Sequence, residues 1–384
     1  MNKKVIGFVI SFVSGLLVLA SLKSQPTSAQ ASTVWRFNGS SHRRATLFFP
    51  LTIFPVSSTP RPSLTSTKIP TRTGTPTLKP SPTRTPTLKP SPTRTPTVRP
   101  SLTSTAVSSG AVIVLGAGDI ACGRGSSGAS CKQKETSDLL LTINPNRVLA
   151  LGDNQYEAGA LSDFQNFYHP TWGRVKSKTS PVAGNHEYGT SNASGYFAYF
   201  GAAAGDPAKG YYSYNLGSWH IIALNSNCAR AGGCASGNPQ YTWLQNDLNA
   251  SPAACTLAYL HHPLWSSSSY ATPAVKPLMQ LLYDHGAELV LAGHAHNYER
   301  FARQDPNGNA NPTYGLREIV VGTGGRSFTN FSTVAANSQV RNAATFGVIK
   351  LTLASTQYTW QFVPIAGSNW SDGPFTEACH GRHP

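Results

Sequence analysis

The chain has 384 residues, with 31 Lys and Arg against 16 Asp and Glu and a formal net charge of +15. That length admits one large domain or two small ones. Fourteen of the basic residues and none of the acidic ones fall in residues 1–110, leaving seventeen basic against sixteen acidic in the remainder. The later region is therefore near neutral, and the basic balance gives no ground for specific nucleic-acid binding by it.

The first predicted element is N-terminal. Lys3 and Lys4 precede an apolar stretch from Val5 to Leu22, and Ala29-Gln30-Ala31 fits a small-residue cleavage site. Residues 1–31 read as a secretory signal peptide, with an uncleaved membrane anchor as the alternative. No later segment is long and apolar enough to cross a bilayer. Residues 32–59, which include ATLFFPLTIFP, have no assignable pattern. Residues 60–106 are a Pro/Thr-rich repetitive linker: TPTLKPSPTR at 75–84 recurs at 85–94 and again as TPTVRPSLTS at 95–104. Proline at this density blocks helix and sheet ladders and favours an extended spacer. Its basic charge makes it a candidate for contact with anionic polymers of a cell envelope, against the plainer reading of a solvated linker.

Beyond the linker, residues 107–384 form the predicted folded domain. All six cysteines lie there, at 122, 131, 228, 234, 255 and 379. An even count in an exported chain suggests disulfides, with fifteen pairings open. Short loops favour Cys122–Cys131 and Cys228–Cys234, which leaves Cys255–Cys379. No Cys-x-x-Cys spacing supports thiolate metal ligation.

Five apolar runs of strand length then end in polar residues of one chemical kind. AVIVLGAGD ends at Asp119; RVLALGDNQY carries Asp153 and Tyr156; SPVAGNHE carries Asn185 and His186; CTLAYLHHP carries His261 and His262; AELVLAGHAH ends in His294 and His296. Continuous Val, Ile and Leu suit strands buried on both faces. Between them KETSDLLLTI, YTWLQNDLNA and AVKPLMQLLYDHG have the pattern of helices, the last stopped by Gly286. Alternating strands and helices predict an α/β domain with substantial parallel pairing, whose ligands gather at the carboxyl ends of the strands.

Asp119, Asp153, Tyr156, Asn185, His261, His294 and His296 would then meet at one place. Seven mixed oxygen and nitrogen donors exceed the needs of one small ion and suit two ions sharing a carboxylate, with iron, manganese or zinc preferred over copper or calcium. Against this stands the plainer reading of each Asp as a turn cap and each His as a satisfied loop residue. That reading is even for any one motif and poor for five at five strand ends. GTGGRS at 322–327, after the strand EIVV, lacks the lysine and helix of a phosphate loop and reads as a tight turn beside the site.

The motif order GD, GDNQY, GNHE, HHP and GHAH resembles the calcineurin-like metallophosphoesterases, and Tyr156 with GHAHNYER resembles their purple acid phosphatase-like branch. The resemblance covers roughly residues 111–365 and implies a four-layer αββα sandwich of the metallophosphoesterase type. It implies two metal ions, Fe(3+) on Asp119, Asp153, Tyr156 and His296, and Zn(2+), Fe(2+) or Mn(2+) on Asp153, Asn185, His261 and His294, with Asp153 bridging. His186 would lie beside the phosphate and His262 would face the substrate, either one serving as acid or charge stabiliser near the ordinary imidazole pKa. Two departures stand out: Ala121 where the family has glycine, expected to tighten a turn, and Ala258 where it has valine. The implied activity is that of an exported, acid phosphatase-like hydrolase of phosphate monoesters acting through metal-activated hydroxide. The alternatives are a phosphodiesterase on nucleotides or lipid headgroups and, ranked low, a stalked binding protein with an idle site.

Overall fold

The computed structural model describes residues 110–125 and 131–382. The expected signal peptide, the unassigned 32–59 segment and the linker lie outside them.

The strands assemble into two sheets. The first holds β1 (Val112–Ala117), β2 (Arg147–Leu151) and β3 (Thr179–Val182) in parallel. On the far side of β1 it continues antiparallel through β11 (Gly347–Leu353), β12 (Gln357–Pro364) and β13 (Phe375–Ala378). The second sheet has four parallel strands, β5 (Trp219–Ala223), β6 (Cys255–Tyr259), β7 (Leu289–Ala292) and β9 (Arg317–Val321). Its edges are antiparallel: β4 (Tyr212–Leu216) beside β5, and β8 (Tyr298–Phe301) then β10 (Ser338–Asn342) beyond β9.

Side-chain alternation along the strands stacks the layers. In β6, Leu257 and Tyr259 join the core between the sheets, whereas Ala258 and the following Leu260 face the helices. In β7, Leu289 and Leu291 point inward and Val290 outward. This two-sided burial is why these strands are apolar without interruption. Helix α1 (Gln133–Ile143) packs on the first sheet. Helix α2 (Ser194–Phe200) sits in an aromatic group with Phe164, Tyr168 and Trp172. Helices α3 (Pro239–Ala250) and α4 (Lys276–Asp284) cover the outer face of the second sheet through Leu244, Leu248, Leu278 and Leu282. The result is the expected helix–sheet–sheet–helix order.

Local chemistry sets the helix limits. Pro239 opens α3, where its missing N–H costs nothing. Gly286 ends α4 at φ +71, its N–H donating to Tyr283 O and that of Ala287 to Leu282 O. The cysteines pair as 122–131, 228–234 and 255–379. The last pair joins the start of β6 to the end of β13 and so ties one sheet to the other. No helix among the described residues is long and apolar enough to cross a membrane.

Candidate metal centre

The two sheets meet at the carboxyl ends of their parallel strands. The turns after β1 and β2 are zipped together by Asp119 N to Gly152 O, Ile120 N to Asp153 O, Ala121 N to Asn154 O and Tyr156 N to Ala121 O. Ala121 therefore takes part in this ladder through both its N–H and its C=O, which accounts for the tight turn expected there. Between sheets, Gly118 N donates to Val321 O and Gly324 N to Gly118 O. Close approach needs glycine: a Cβ on Gly293 would sit 2.9 Å from both Asp119 Oδ2 and Leu151 O, and one on Gly184 would overlap Asp153 Oδ1 at 2.1 Å. Asp119, Asp153 and His294, each following a glycine, have positive φ of 60, 45 and 68. This left-handed turn is costly for a residue with a side chain and persists where the surroundings enforce it. It aims all three side chains back over the strand ends.

All seven predicted donors come together. The Tyr156 hydroxyl lies 2.8 Å from Asp119 Oδ1, 3.0 Å from Asp153 Oδ2 and 3.0 Å from His296 Nε2. His261 Nε2 lies 3.3 Å from Asp153 Oδ1, 3.1 Å from Asn185 Oδ1 and 3.2 Å from His294 Nδ1. Asp119, Asp153, Tyr156 and His261 are buried, while His294 and His296 are half-buried and Asn185 is exposed. The cluster thus has a closed floor and an open mouth.

Surrounding groups fix the imidazole tautomers. His261 Nδ1 is 2.9 Å from Leu151 O, which can only accept, so Nδ1 carries the proton and Nε2 presents its lone pair to the cluster. His296 Nδ1 meets Ser327 Oγ at 2.9 Å, leaving Nε2 on the Tyr156 side. Ser226 Oγ accepts the N–H groups of His261 and His262 and so donates to His262 Nδ1, 2.8 Å away. That arrangement places the His262 proton on Nε2. His186 leans on Tyr156 with ring centroids 4.3 Å apart, its N–H donating to Asp153 Oδ1 and its Nδ1 2.5 Å from Glu157 O.

The donor set has more lone pairs than protons. One phenolic proton faces two carboxylates and an imidazole nitrogen, and the His261 lone pair faces carboxylate, amide and imidazole acceptors. Buried acceptors facing one another are unfavourable without a cation among them. The titration of the groups points the same way. Burial and then Asp119 and Asp153 push the Tyr156 phenol well above its ordinary range. Burial lowers the His261 pKa, but Asp153 overrides it and lifts the imidazole to about 9, as though a proton filled the place of a cation. Burial raises the Asp153 pKa, yet His261 and His186 hold it well below the usual carboxylate range. The residues present fit bound metal.

His262 departs from the expected histidine of ordinary pKa: burial and then neighbouring His261 bring it down to about 3. It is neutral, and its ring lies 4.4 Å from that of His294, where a third imidazole joins His261 and His294. Several site residues carry no mark in the sequence. Ser226 follows β5, whose apolar run also ends in polar residues, so the strand-end rule extended to WHIIALNS finds it; Arg326 and Ser327 belong to GTGGRS, the turn expected beside the site, where the sequence assigns no role to either side chain. Glu187, buried, accepts from Gln155 N at 3.1 Å and Gly184 N at 2.7 Å and so joins two of the site loops. Tyr270 stands edge-on to His294 at 4.9 Å; nothing in its surrounding sequence, SSSSYAT, marks it.

Fold and cluster together are those of a candidate metal site at the strand ends of a two-sheet α/β domain. Residues 114–298 match the family model of the calcineurin-like phosphoesterases, a span that contains all seven donors. This span is therefore similar to the calcineurin-like phosphoesterases, and the curated relatives that the chain matches are purple acid phosphatases. The chain is 31% identical over 244 residues to purple acid phosphatase 15 of Arabidopsis thaliana, covering 52% of this chain and 44% of that protein. It is 32% identical over 197 residues to the probable purple acid phosphatase 20 of the same plant, covering 44% of each. The match thus spans less than half the length of either relative. Among solved structures, the purple acid phosphatase PPD1 of yellow lupin (Lupinus luteus) seeds shares the fold, with a TM-score of 0.61 at 19% identity over 70% of this chain and 54% of that one.

Proposed function

We propose that this protein is an exported dimetal phosphatase acting on phosphate monoesters, its catalytic domain being residues 107–384. The observation that carries the reading is the convergence of seven oxygen and nitrogen donors whose lone pairs outnumber their protons. Asp119, Asp153, Tyr156 and His296 would hold ferric iron. Asp153, Asn185, His261 and His294 would hold a divalent ion of zinc, iron or manganese, with Asp153 shared. Two such ions neutralise phosphoryl oxygens and lower the pKa of a water to about 7.

The remaining steps belong to side chains. His186 has its Nδ1 proton committed to the Glu157 carbonyl, so its Nε2, 3.8 Å from Asp153 Oδ2, is the atom that takes up and delivers a proton beside the donor cluster. That assigns it the departing alkoxide. His262, held neutral with its proton on Nε2, serves as a hydrogen-bond donor to a phosphoryl oxygen rather than as an acid. Gly152, Gly184 and Gly293 leave the room that lets His261, Asp153 and Asp119 approach so closely. Export is supported by three disulfides, which persist in oxidising compartments, and by the composition of residues 1–31. The basic Pro/Thr-rich stretch would meet the cell envelope.

The test is hydrolysis of p-nitrophenyl phosphate and of bis-p-nitrophenyl phosphate by the full, oxidised, metal-loaded chain. Fast monoester turnover that vanishes in Asp153→Ala is expected. Turnover of the diester alone would replace the monoesterase reading with a diesterase.

A further inference from the structure

The turn GTGGRS does more than close β9. Its backbone is anchored on three sides: Gly324 N donates to Gly118 O, Lys132 N to Gly325 O, and Arg326 N to Asp119 O, at 2.9, 2.8 and 2.9 Å. Anchored this way, it delivers two consecutive side chains to the site. Ser327 meets His296. Arg326 reaches past it, with Cζ 5.1 Å from the ring centroid of Tyr156 and Nη2 2.7 Å from Glu157 Oε1. The hydroxyl of Tyr156 lies within the donor cluster, so the guanidinium stands one ring's breadth from it, on the rim. Glu157 thereby holds two groups at the mouth, Arg326 through its carboxylate and His186 through its carbonyl.

This ion pair is replaceable. Its side chains are 23% and 56% exposed, so the Glu157 end keeps much of its water, and a pair that remains partly solvated is worth little. A guanidinium fork accepts a phosphoryl group or a carboxylate with the same geometry. The buried arginines lack this freedom: Arg300 is committed to Asp372, and Arg317 to Glu377 and the Phe301 carbonyl. A molecule with one phosphoryl group on the metal donors and a second anion close by would bring that anion to Arg326.

We propose that Arg326 is a specificity arm: it exchanges Glu157 for a second anionic group, phosphoryl or carboxylate, carried next to the phosphoester, so that doubly anionic esters are preferred to esters of neutral alcohols. The inference rests on the phosphoester reading of the site. It gives the two members of the ion pair opposite effects. Removing Arg326 removes the preference, and removing the Glu157 charge frees the arm and strengthens it. A merely structural ion pair would make both variants behave alike.

The experiment is calorimetric titration of the full chain, loaded with ferric iron and zinc, with three non-hydrolysable probes: methylphosphonate, phosphonoacetate and methylenebisphosphonate. The wild type is expected to bind at least one of the two doubly anionic probes about three- to tenfold more tightly than methylphosphonate, and the probe preferred identifies the second group as carboxylate or phosphoryl. Arg326→Ala should abolish the ratio with methylphosphonate affinity held, Arg326→Lys should keep part of it, and Glu157→Gln should increase it. A ratio unchanged in Arg326→Ala, or moved the same way in Arg326→Ala and Glu157→Gln, overturns the arm. Asp153→Ala separates the two levels: methylphosphonate binding retained there overturns the phosphoester reading itself, whereas binding lost there with the ratio intact in Arg326→Ala overturns the arm alone.

Discussion

Ser226 shows how much a single hydroxyl can govern. It accepts two backbone N–H groups of the His261–His262 turn and donates to His262 Nδ1. Ser226→Ala would leave two buried donors unpaired, at about 1–3 kcal/mol for such a group, and release the His262 tautomer. We expect a lower melting temperature and a loss of turnover on the order of tenfold, as befits one hydrogen-bond donor losing its fixed orientation; unchanged kinetics would remove His262 from the reaction. Tyr156 makes a separate prediction. A tyrosinate on ferric iron absorbs visible light by charge transfer, so the iron-loaded chain should be coloured and Tyr156→Phe should bleach it. A colourless wild type with iron bound would mean that Tyr156 is not a ligand.

At the scale of elements, two buried glutamates hold site loops to the sheets. Glu187 acts between the turns after β2 and β3, and Glu318 of β9 accepts from Leu264 N and Trp265 N just beyond His262. Burial outweighs those two donors and lifts the Glu318 pKa from 4.5 to about 8. A carboxyl whose folded pKa is raised binds its proton more tightly folded than unfolded. Its contribution to stability is full below the unfolded value and is lost as pH rises toward 8. The melting temperature should therefore fall between about pH 4.5 and pH 8, and Glu318→Gln, which stays neutral, should flatten that fall; an equal slope in the variant would rule Glu318 out as its source. Glu318 was not legible in the sequence, because it sits inside REIVV with nothing to mark it as buried. The central strands were legible for the opposite reason: burial on both faces leaves unbroken apolar runs, and each polar ending is conspicuous. β10 and β13 are short and contain no buried residue, so no apolar pattern announces them. β12 does alternate, with Tyr358, Trp360 and Phe362 buried, and a period-two scan would find it.

For the whole molecule, the site depends on holding two sheets at a fixed distance, since Asp119, Asp153 and Asn185 follow strands of one sheet and His261, His294 and His296 follow strands of the other. Cys255–Cys379 spans 124 residues and links the two sheets. Long loops gain most from closure, on the order of 4–5 kcal/mol in the chain-entropy picture. Cys379→Ser with Cys255→Ser should therefore lower the melting temperature more than loss of the 228–234 pair, which closes only a six-residue separation; the reverse order in thermal unfolding would contradict this.

The most direct test of the central claim, that these seven side chains form one two-metal centre, is the metal content of the full chain by mass spectrometry after loading and extensive dialysis. Two ions per wild-type chain are predicted, with Asp153→Ala losing both sites' retention and His294→Ala keeping iron while losing the divalent ion. A correctly folded wild type that retains no metal, or an Asp153→Ala variant that still retains two ions, would contradict it.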